Sequence, residues 1–196
     1  MEDSLAPTAV KPLLRGRFGQ VYRYAEITPS TQRMLVGDET EGAVAVAEEQ
    51  TEGRGRLGRN WEAPAGTSVL VSVLLLPTVA GSRLPELSLV AGNAVAEAIL
   101  EVTGIKPAIK FPNDVLISGR KVAGILAESS EGRVVLGIGV NVNQTLEQLP
   151  PKTQMDPTSL RLELGEPVSR LQLLAAILLQ LERAYDAWVK ETSKSG

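Results

Sequence analysis

Apolar residues recur along the chain with two different spacings, and the spacing predicts which segments are helices. Residues 82–101 and 168–190 carry apolar positions at intervals of three and four, the repeat of a helix that buries one face. Gly104 follows the first of these segments and is expected to end it. A shorter helix is expected from Ser30, as its cap, to Leu35.

Runs of alternating or continuously apolar residues, bounded by turn residues, predict strands in the rest of the chain. These runs cover residues 17–27, 43–47, 68–76, 109–111, 115–117, 121–128 and 133–142. Ser118, Gly119 and Arg120 are expected to turn a hairpin between two of them. Strands in runs with two long helices indicate an α+β fold with helices packed on one sheet. We expect an irregular, frayed tail over residues 1–11 and one domain over residues 12–196.

Composition narrows the possible chemistry. The chain has 196 residues, a formal net charge of −3, no cysteine and no histidine. Disulfides, thiolate zinc sites, thiol nucleophiles and histidine-based triads are therefore excluded. The negative charge argues against a nucleic-acid binder. Without a signal-peptide pattern, and with a longest apolar run (69–76) too short for a bilayer, we expect a cytoplasmic protein that does not enter a membrane.

The most informative segment, residues 50–61, is rich in glycine and arginine and is called here the glycine–arginine loop. It contains Gly53, Gly55 and Gly58, and Arg54, Arg56 and Arg59. The glycines match the dinucleotide-binding pattern, but that pattern needs a helix to follow, and here a strand follows. The P-loop pattern fails because Arg-Asn stands where Lys-Ser/Thr is required. Glycines permit close approach of a ligand and arginines grip phosphate or carboxylate, so we expect an anion-binding loop. A solvated surface loop is the alternative.

Two downstream segments add candidate polar residues. Pro112 is awkward inside a strand, which would place Asn113 and Asp114 at the mouth of the sheet, where Asn can hold a ligand and Asp can hold Mg²⁺. A plain Asn-Asp turn is the alternative. Lys121 opens a strand in which Gly124 suggests close approach of a ligand or of another backbone. A lone lysine at a hairpin is, however, usually just solvated.

A third segment, residues 137–143, combines strand alternation with glycine and asparagine. If Ile138 and its alternating neighbours face the core, Gly139, Asn141 and Asn143 line the opposite face. Because Gly139 has no side chain, this polar face leaves space for a ligand and suits the floor of a ligand site. An ordinary half-buried strand explains the pattern equally well.

Taken together, these segments resemble the catalytic domain of biotin–protein ligases. The matching segments are residues 30–32, 47–61, 110–114, 121–128, 137–143 and 158–160, and they span nearly the whole chain from about Tyr22 onward. The resemblance implies a mixed β-sheet flanked by helices, the fold shared with lipoate ligases. It also implies a reaction in which biotin and ATP form biotinyl-5'-AMP and biotin is then transferred to a lysine of a carrier protein. ATP and Mg²⁺ are the expected cofactors.

The resemblance also implies roles for individual residues. The residues implied to contact biotin are Ser30, Thr31, Gln32, Gln50, Arg54, Gly55, Arg56, Lys121 and Gly124. Those implied to serve ATP are Arg56, Arg59, Trp61, Asn113 and Asn141. Lys121, Arg56 and Arg54 are expected to do the catalytic work, because both reactants are anions and cations offset their repulsion. Asp114 is the candidate ligand for Mg²⁺.

The chain departs from the family pattern in a few places. Phe111 stands where the family usually has tryptophan, which keeps an aromatic ring. We expect neither the DNA-binding domain nor the C-terminal β-barrel found in many bacterial members, and so no repressor role. The expected partner is the biotin carboxyl carrier domain of acetyl-CoA carboxylase or a related carboxylase. Exposed strand edges are compatible with a homodimer.

Two other functions remain open from the sequence. A lipoate ligase would perform the same chemistry on another acid, although the glycine–arginine loop speaks against it. A binding module derived from a ligase would hold biotin or its adenylate without transferring it. The candidate residues Lys121, Arg54 and Arg56 argue against this second alternative.

Overall fold

The structure, a computed structural model, describes residues 3–37, 39–79, 81–150 and 155–194. Its centre is one mixed seven-stranded sheet with the order β1-β2-β3-β7-β6-β5-β4. The strands are β1 (Tyr22–Thr28), β2 (Val44–Gln50), β3 (Ser68–Leu75), β4 (Ala108–Lys110), β5 (Asp114–Ile117), β6 (Arg120–Ser130) and β7 (Arg133–Asn141). Only β1 and β2 run parallel, and the other neighbours are antiparallel. The expected mixed sheet is confirmed.

Two long helices, α2 (Leu87–Thr103) and α4 (Arg170–Lys194), cover one face of the sheet. Alternate residues of the central strands point into this layer and are buried in one cluster with the helices: Val71, Val73, Val122, Val140, Ala94, Ala98, Ile177 and Leu181. Gly104 ends α2 in the left-handed conformation, with φ 73°, as the sequence predicts. No helix in the described ranges is long and apolar enough to cross a membrane.

The opposite face of the sheet is covered mostly by short segments. The 3₁₀ turn Thr31–Met34 lies there, and a small apolar cluster forms around Leu35, Ala45 and Leu74. The remaining area of this face, over β6 and β7, is left to the glycine–arginine loop. The helices thus leave one face of the sheet free to carry a ligand site.

Several predicted boundaries need correction. The first long helix begins at Leu87 and not at residue 82, because a 3₁₀ turn with Pro85 precedes it. The segment after Ser30 is a 3₁₀ turn, and the Ser30 side chain does not cap it. Strand β1 begins at Tyr22 and not at residue 17, since Gly19 adopts a positive φ of 87° just before it. The short helix α3 (Leu160–Leu164), capped by Ser159, is missed by the sequence analysis.

The prediction of an irregular N-terminal tail is wrong for the described part of residues 1–11. Residues Pro7–Val10 form helix α1, and Leu5 and Val10 are completely buried in the main core. The Leu5 amide donates to Oε1 of Glu48 at 2.7 Å. Because the anchoring residue lies on β2, far along the chain, the local pattern of residues 1–11 carries no sign of the contact.

Candidate active site

A pocket of about 310 Å³ lies on the face of the sheet that the helices leave free. Its lining contains every residue predicted to bind biotin or ATP: Ser30, Thr31, Gln32, Gln50, Arg54, Gly55, Arg56, Arg59, Trp61, Asn113, Lys121, Gly124 and Asn141. These residues come from five separate segments of the chain. The fold therefore brings together in one place what the sequence presents as dispersed motifs.

The floor of the pocket is made of glycines on the two central strands. Gly124 of β6 pairs directly with Gly139 of β7, and Gly137 lies two residues earlier on the same face. The indole of Trp61 lies on this pair: a Cβ atom at Gly139 would come 2.5 Å from its Cε2 atom, and one at Gly124 would come 2.9 Å from its Cζ3 atom. At Gly137 an added Cβ would meet the amide carbon of Gln32 at 3.2 Å. Glycine is required at these positions because the side chains of Trp61 and Gln32 pack directly against the strand backbone.

One end of the pocket is built from neutral, buried hydrogen-bonding groups. The backbone amide of Thr31 donates to Oε1 of Gln50 at 2.8 Å, and the Thr31 and Ser72 hydroxyls lie 2.7 Å apart. Ser72 is fully buried and Ser30 is 1% exposed. Nε2 of Gln32 donates to the carbonyl oxygens of Leu126 and Val135, both at 3.3 Å. This end suits an uncharged polar group that exchanges hydrogen bonds with the protein.

The glycine–arginine loop is folded back on itself across the pocket. The Trp61 amide donates to the Gly53 carbonyl at 2.8 Å, and the Gly55 amide donates to the Arg59 carbonyl at 2.7 Å. At the tip, Leu57 has a positive φ of 59° and is 87% exposed. These hydrogen bonds lie within the loop and join its two arms.

Two arginines of this loop contact the sheet or the turn that precedes β5. Nη2 of Arg54 lies 2.8 Å from Oε2 of Glu128 on β6. Nη1 of Arg56 donates to Oδ1 of Asn113 at 3.2 Å. Asn113 is itself held by β6, because its Nδ2 donates to the Ile125 carbonyl at 2.9 Å. Both arginines therefore fasten the loop to the sheet as well as lining the pocket.

Lys121 supplies the fourth cation, at the start of β6. Its Nζ lies 2.6 Å from Oδ1 of Asp114 and 5.6 Å from the centroid of the Trp61 ring. Its backbone pairs with residues 156–158: the Lys121 amide donates to Asp156, and the Thr158 amide donates to Lys121. Among the residues described as lining the pocket, Glu62 is acidic, and the basic residues are Arg54, Arg56, Arg59 and Lys121. Asp114 and Glu128 pair with Lys121 and Arg54 from beside the wall, so four cations face three of these acids, and the remaining positive charge suits an anionic ligand.

Asp114, the predicted magnesium ligand, lies beside the pocket and not in its wall, where it is paired with Lys121. Within the described ranges no three carboxylate, histidine or cysteine side chains are grouped closely enough to hold a metal ion by themselves. The described residues therefore offer a metal fewer than three grouped carboxylates. Such a set suits Mg²⁺ that brings most of its ligands with it as water and phosphate.

Asn141 lies at the end of β7 and is 3% exposed. Its Nδ2 donates to the Thr158 carbonyl at 3.0 Å, and its Oδ1 accepts from Nε2 of Gln144 at 3.2 Å. Asn143 does not line the pocket, which corrects the alternation prediction: its side chain bonds the backbone of Val168 instead. The strand ends at Asn141, so the alternation does not reach position 143.

Some functional residues escape the sequence analysis. Ser72 supports Thr31 from the middle of β3, a strand that is apolar apart from Ser68 and Ser72, and a serine inside such a run is visible in the sequence. Gln144 is 1% exposed and supports Asn141, but nothing in its neighbourhood of the chain marks it. Pro150, Met155 and Pro157 also line the pocket from a segment predicted only as a loop.

Comparison with known proteins gives the same picture. A family model described as the biotin/lipoate A/B protein ligase family matches residues 24–144. The chain is 39% identical over 176 residues to the bifunctional ligase/repressor BirA of Bacillus subtilis, covering 85% of this chain and 54% of that protein. It is 40% identical over 161 residues to the biotin–acetyl-CoA-carboxylase ligase of Mycobacterium tuberculosis, covering 80% and 59%. The chain thus spans little more than half the length of these curated relatives.

Solved structures agree with the family match. The biotin protein ligase of Aquifex aeolicus in complex with biotin and ATP superposes with a TM-score of 0.80 at 33% identity, covering 88% of this chain and 73% of that one. The biotin protein ligase of Leishmania major in complex with biotinyl-5-AMP gives a TM-score of 0.70 at 25% identity, covering 89% and 81%. Both similarities extend over most of each chain and include the sheet that carries the pocket.

Proposed function

The chain belongs to the biotin/lipoate A/B protein ligase family, and on that basis we propose that it is an ATP-dependent biotin–protein ligase. In the first step, a carboxylate oxygen of biotin attacks the α-phosphorus of ATP. The bond from this phosphorus to the bridging oxygen breaks, and pyrophosphate leaves. In the second step, the amine of a carrier lysine attacks the acyl carbon of biotinyl-5'-AMP, and AMP leaves. The relatives and solved structures whose names include biotin ligases, biotin, ATP and biotinyl-5-AMP support this proposal.

The observation that carries the proposal is the difference between the two ends of the pocket, one of which is neutral and the other positively charged. Gln32 reaches the carbonyl of Leu126 at the neutral end, and the ammonium group of Lys121 lies beside Gly124, two residues earlier on the same strand, which corresponds to about 7 Å of strand. Biotin has a neutral urea ring at one end and a carboxylate at the other. The neutral cluster around Thr31 suits the ring, and the cations suit the place where the carboxylate meets the nucleotide.

The residues act mainly by charge and position. Two anions must approach each other, so Lys121 and Arg56 would stabilise the charge that develops on the phosphate oxygens. Holding the reactants in line can lower the barrier by roughly 7–11 kcal/mol. No protein nucleophile is required, which agrees with a chain that has no cysteine and no histidine. Trp61, Asn113, Asn141 and Arg59 are proposed to hold the nucleotide.

The glycine–arginine loop is proposed to shield the intermediate from water. An acyl-adenylate is a mixed anhydride that water hydrolyses, so a site that transfers the acyl group to a lysine must exclude solvent. The loop lies over the pocket and is connected to the sheet through Arg54, Arg56 and Trp61. Its position suits this role.

Magnesium is proposed to enter with ATP. Asp114 would contribute the carboxylate, and Asn113 and Asn141 would contribute amide oxygens or hold bridging water. When bound, the ion would neutralise part of the charge on the phosphates. Because Asp114 is paired with Lys121, binding of the ion and rearrangement of that pair would be linked.

The carrier is proposed to be a biotin carboxyl carrier domain of acetyl-CoA carboxylase or a related carboxylase, in agreement with the name of the Mycobacterium tuberculosis relative. The first half-reaction tests the choice of acid. Pyrophosphate release from ATP should depend on biotin and be at least about tenfold slower with lipoate at the same concentration. Release that depends on lipoate alone would overturn the assignment of biotin.

A further inference from the structure

Glu128 lies on β6 just outside the pocket. Gly124, Leu126 and Glu128 point to the same face because they alternate along one strand, and the first two line the pocket. Glu128 is the next residue on that face and is not among the described lining residues. It cannot therefore be assigned a role through direct contact with a ligand in this pocket.

The contact that Glu128 does make is with the base of the glycine–arginine loop. Its Oε2 lies 2.8 Å from Nη2 of Arg54, and Arg54 pairs with Asn60 in an antiparallel bridge that closes the loop. The two partners are 74 residues apart in sequence. The ion pair thus connects the point where the loop leaves the sheet to a strand at the centre of the fold.

The positive charge of the loop also favours an acidic partner. Arg54, Arg56 and Arg59 lie within six residues, and cations placed so close repel one another when no anion is bound. Asn113 accepts a hydrogen bond from Arg56 but adds no negative charge. Glu128 is a carboxylate that neutralises the charge of Arg54.

We infer that Glu128 is a positioning residue that keeps the glycine–arginine loop closed over the pocket through Arg54. Its effect on the reaction, retention of the acyl-adenylate, rests on the proposed function. The side chains of Glu128 and Arg54 are each 41% exposed, so this ion pair, called here the latch, stabilises the closed loop only modestly. Exposed pairs of this kind change an equilibrium by about two- to fivefold. A latch of that size fits a loop that must also open.

Limited trypsin digestion tests the latch without reference to catalysis. Trypsin cuts after arginine, and cleavage inside the loop requires local opening. Glu128→Gln keeps the shape of the side chain but removes its charge, and should raise the rate of cleavage in the loop about two- to fivefold without any ligand. Glu131→Gln, at the exposed turn between β6 and β7, removes the same charge nearby and should leave the rate unchanged.

Salt separates an electrostatic latch from a general loss of structure. At about 1 M salt the screening length falls to about 3 Å, so the difference between the wild-type protein and Glu128→Gln should shrink. Equal cleavage rates at low salt would overturn the inference. A difference that persists unchanged at high salt would overturn it too.

The consequence for the intermediate has a separate readout. Without a carrier, steady pyrophosphate release reports how fast biotinyl-5'-AMP escapes and is replaced. Glu128→Gln should raise this rate about two- to fivefold while the rate of the first turnover stays the same, and Glu131→Gln should match the wild-type protein. Faster cleavage without faster release would overturn the role in retention. Absence of any biotin-dependent release in all three proteins would instead contradict the proposed function and leave the cleavage result intact.

Discussion

The ammonium nitrogen of Lys121 lies 2.6 Å from Oδ1 of Asp114, so the cation proposed to act on the substrates is ion-paired at the start of β6. The two side chains are only 24% and 16% exposed. The pair holds the ammonium group of Lys121 close to the ring of Trp61. A substrate carboxylate or phosphate then competes with Asp114 for an ammonium group that is already in place.

Replacing Lys121 should affect the chemical step more than binding. We expect Lys121→Ala to slow adenylate formation by roughly 10²- to 10³-fold, the usual cost of removing a group that stabilises developing negative charge. ATP affinity should fall less than about tenfold, because Arg56, Arg59 and Trp61 remain. Single-turnover rates and equilibrium titration measure the two quantities separately. An unchanged adenylation rate would remove Lys121 from the mechanism.

The glycine pair beneath Trp61 predicts a steric effect on nucleotide binding. In Gly139→Ala the new Cβ atom would lie 2.5 Å from Cε2 of Trp61, so the indole must move from its place. We expect ATP affinity, measured by titration calorimetry, to fall at least about tenfold. Gly81→Ala is the control, because an added methyl group there meets nothing within 4 Å. Equal affinities of the two variants would contradict the placement of Trp61 in the nucleotide site.

Arg170 predicts a large effect on stability. It is 3% exposed and lies 3.0 Å from Asp3 and 2.6 Å from Glu48, which ties the N-terminal segment to β2 and to the start of α4. Arg170→Met leaves the half-buried Glu48 without its cation, and the free energy of unfolding should fall by about 3–5 kcal/mol. The double variant Arg170→Met/Glu48→Gln should recover part of that loss. Denaturant unfolding that finds no recovery would show that lost packing, and not the unpaired charge, causes the effect.

Asp186 predicts a dependence of stability on pH. Its carboxylate accepts two hydrogen bonds from Arg17, at 2.7 and 2.8 Å, and this contact holds the pKa of Asp186 below its ordinary value of 3.8. A lowered pKa means that the folded state favours the charged form, so the stabilisation is present above 3.8 and is lost as the pH falls below it.

Asp186→Asn tests this sign. The variant should be less stable than the wild-type protein by less than about 1 kcal/mol at neutral pH, because the pair is partly exposed. Arg17 also lies near Glu41 and Glu182, which limits the loss. Unfolding curves of both proteins should converge as the pH falls through the acid range. A stability difference that grows below pH 3.8 would contradict the assignment.

Local sequence predicts most of the pocket because its groups belong to short motifs with unusual composition. Lys121 and Gly124 are found from one strand, and Arg54 to Arg59 from one loop. The mixed sheet and the two long helices follow from hydrophobic spacing together with the family resemblance. Their packing then decides which face remains free for the pocket.

Contacts between distant segments are what the sequence does not reveal. Arg54 and Glu128 are 74 residues apart, and Arg170 and Glu48 are 122 residues apart. Glu48, Glu128 and Arg170 resemble ordinary surface charges in the sequence, and Arg54 is marked there only as part of an anion-binding loop, without its partner. The same reason explains the N-terminal segment, where Leu5 and Val10 are apolar residues whose burial depends on a sheet formed much later in the chain.

Transfer of labelled biotin to a purified biotin carboxyl carrier domain, with ATP and Mg²⁺, tests the central claim most directly. The account predicts label on the carrier that requires ATP, disappears when the target lysine of the carrier is replaced by arginine, and is nearly lost with Lys121→Ala. Biotin-dependent pyrophosphate release without labelled carrier would contradict the second step, and no release at all would reduce the protein to a module that binds biotin.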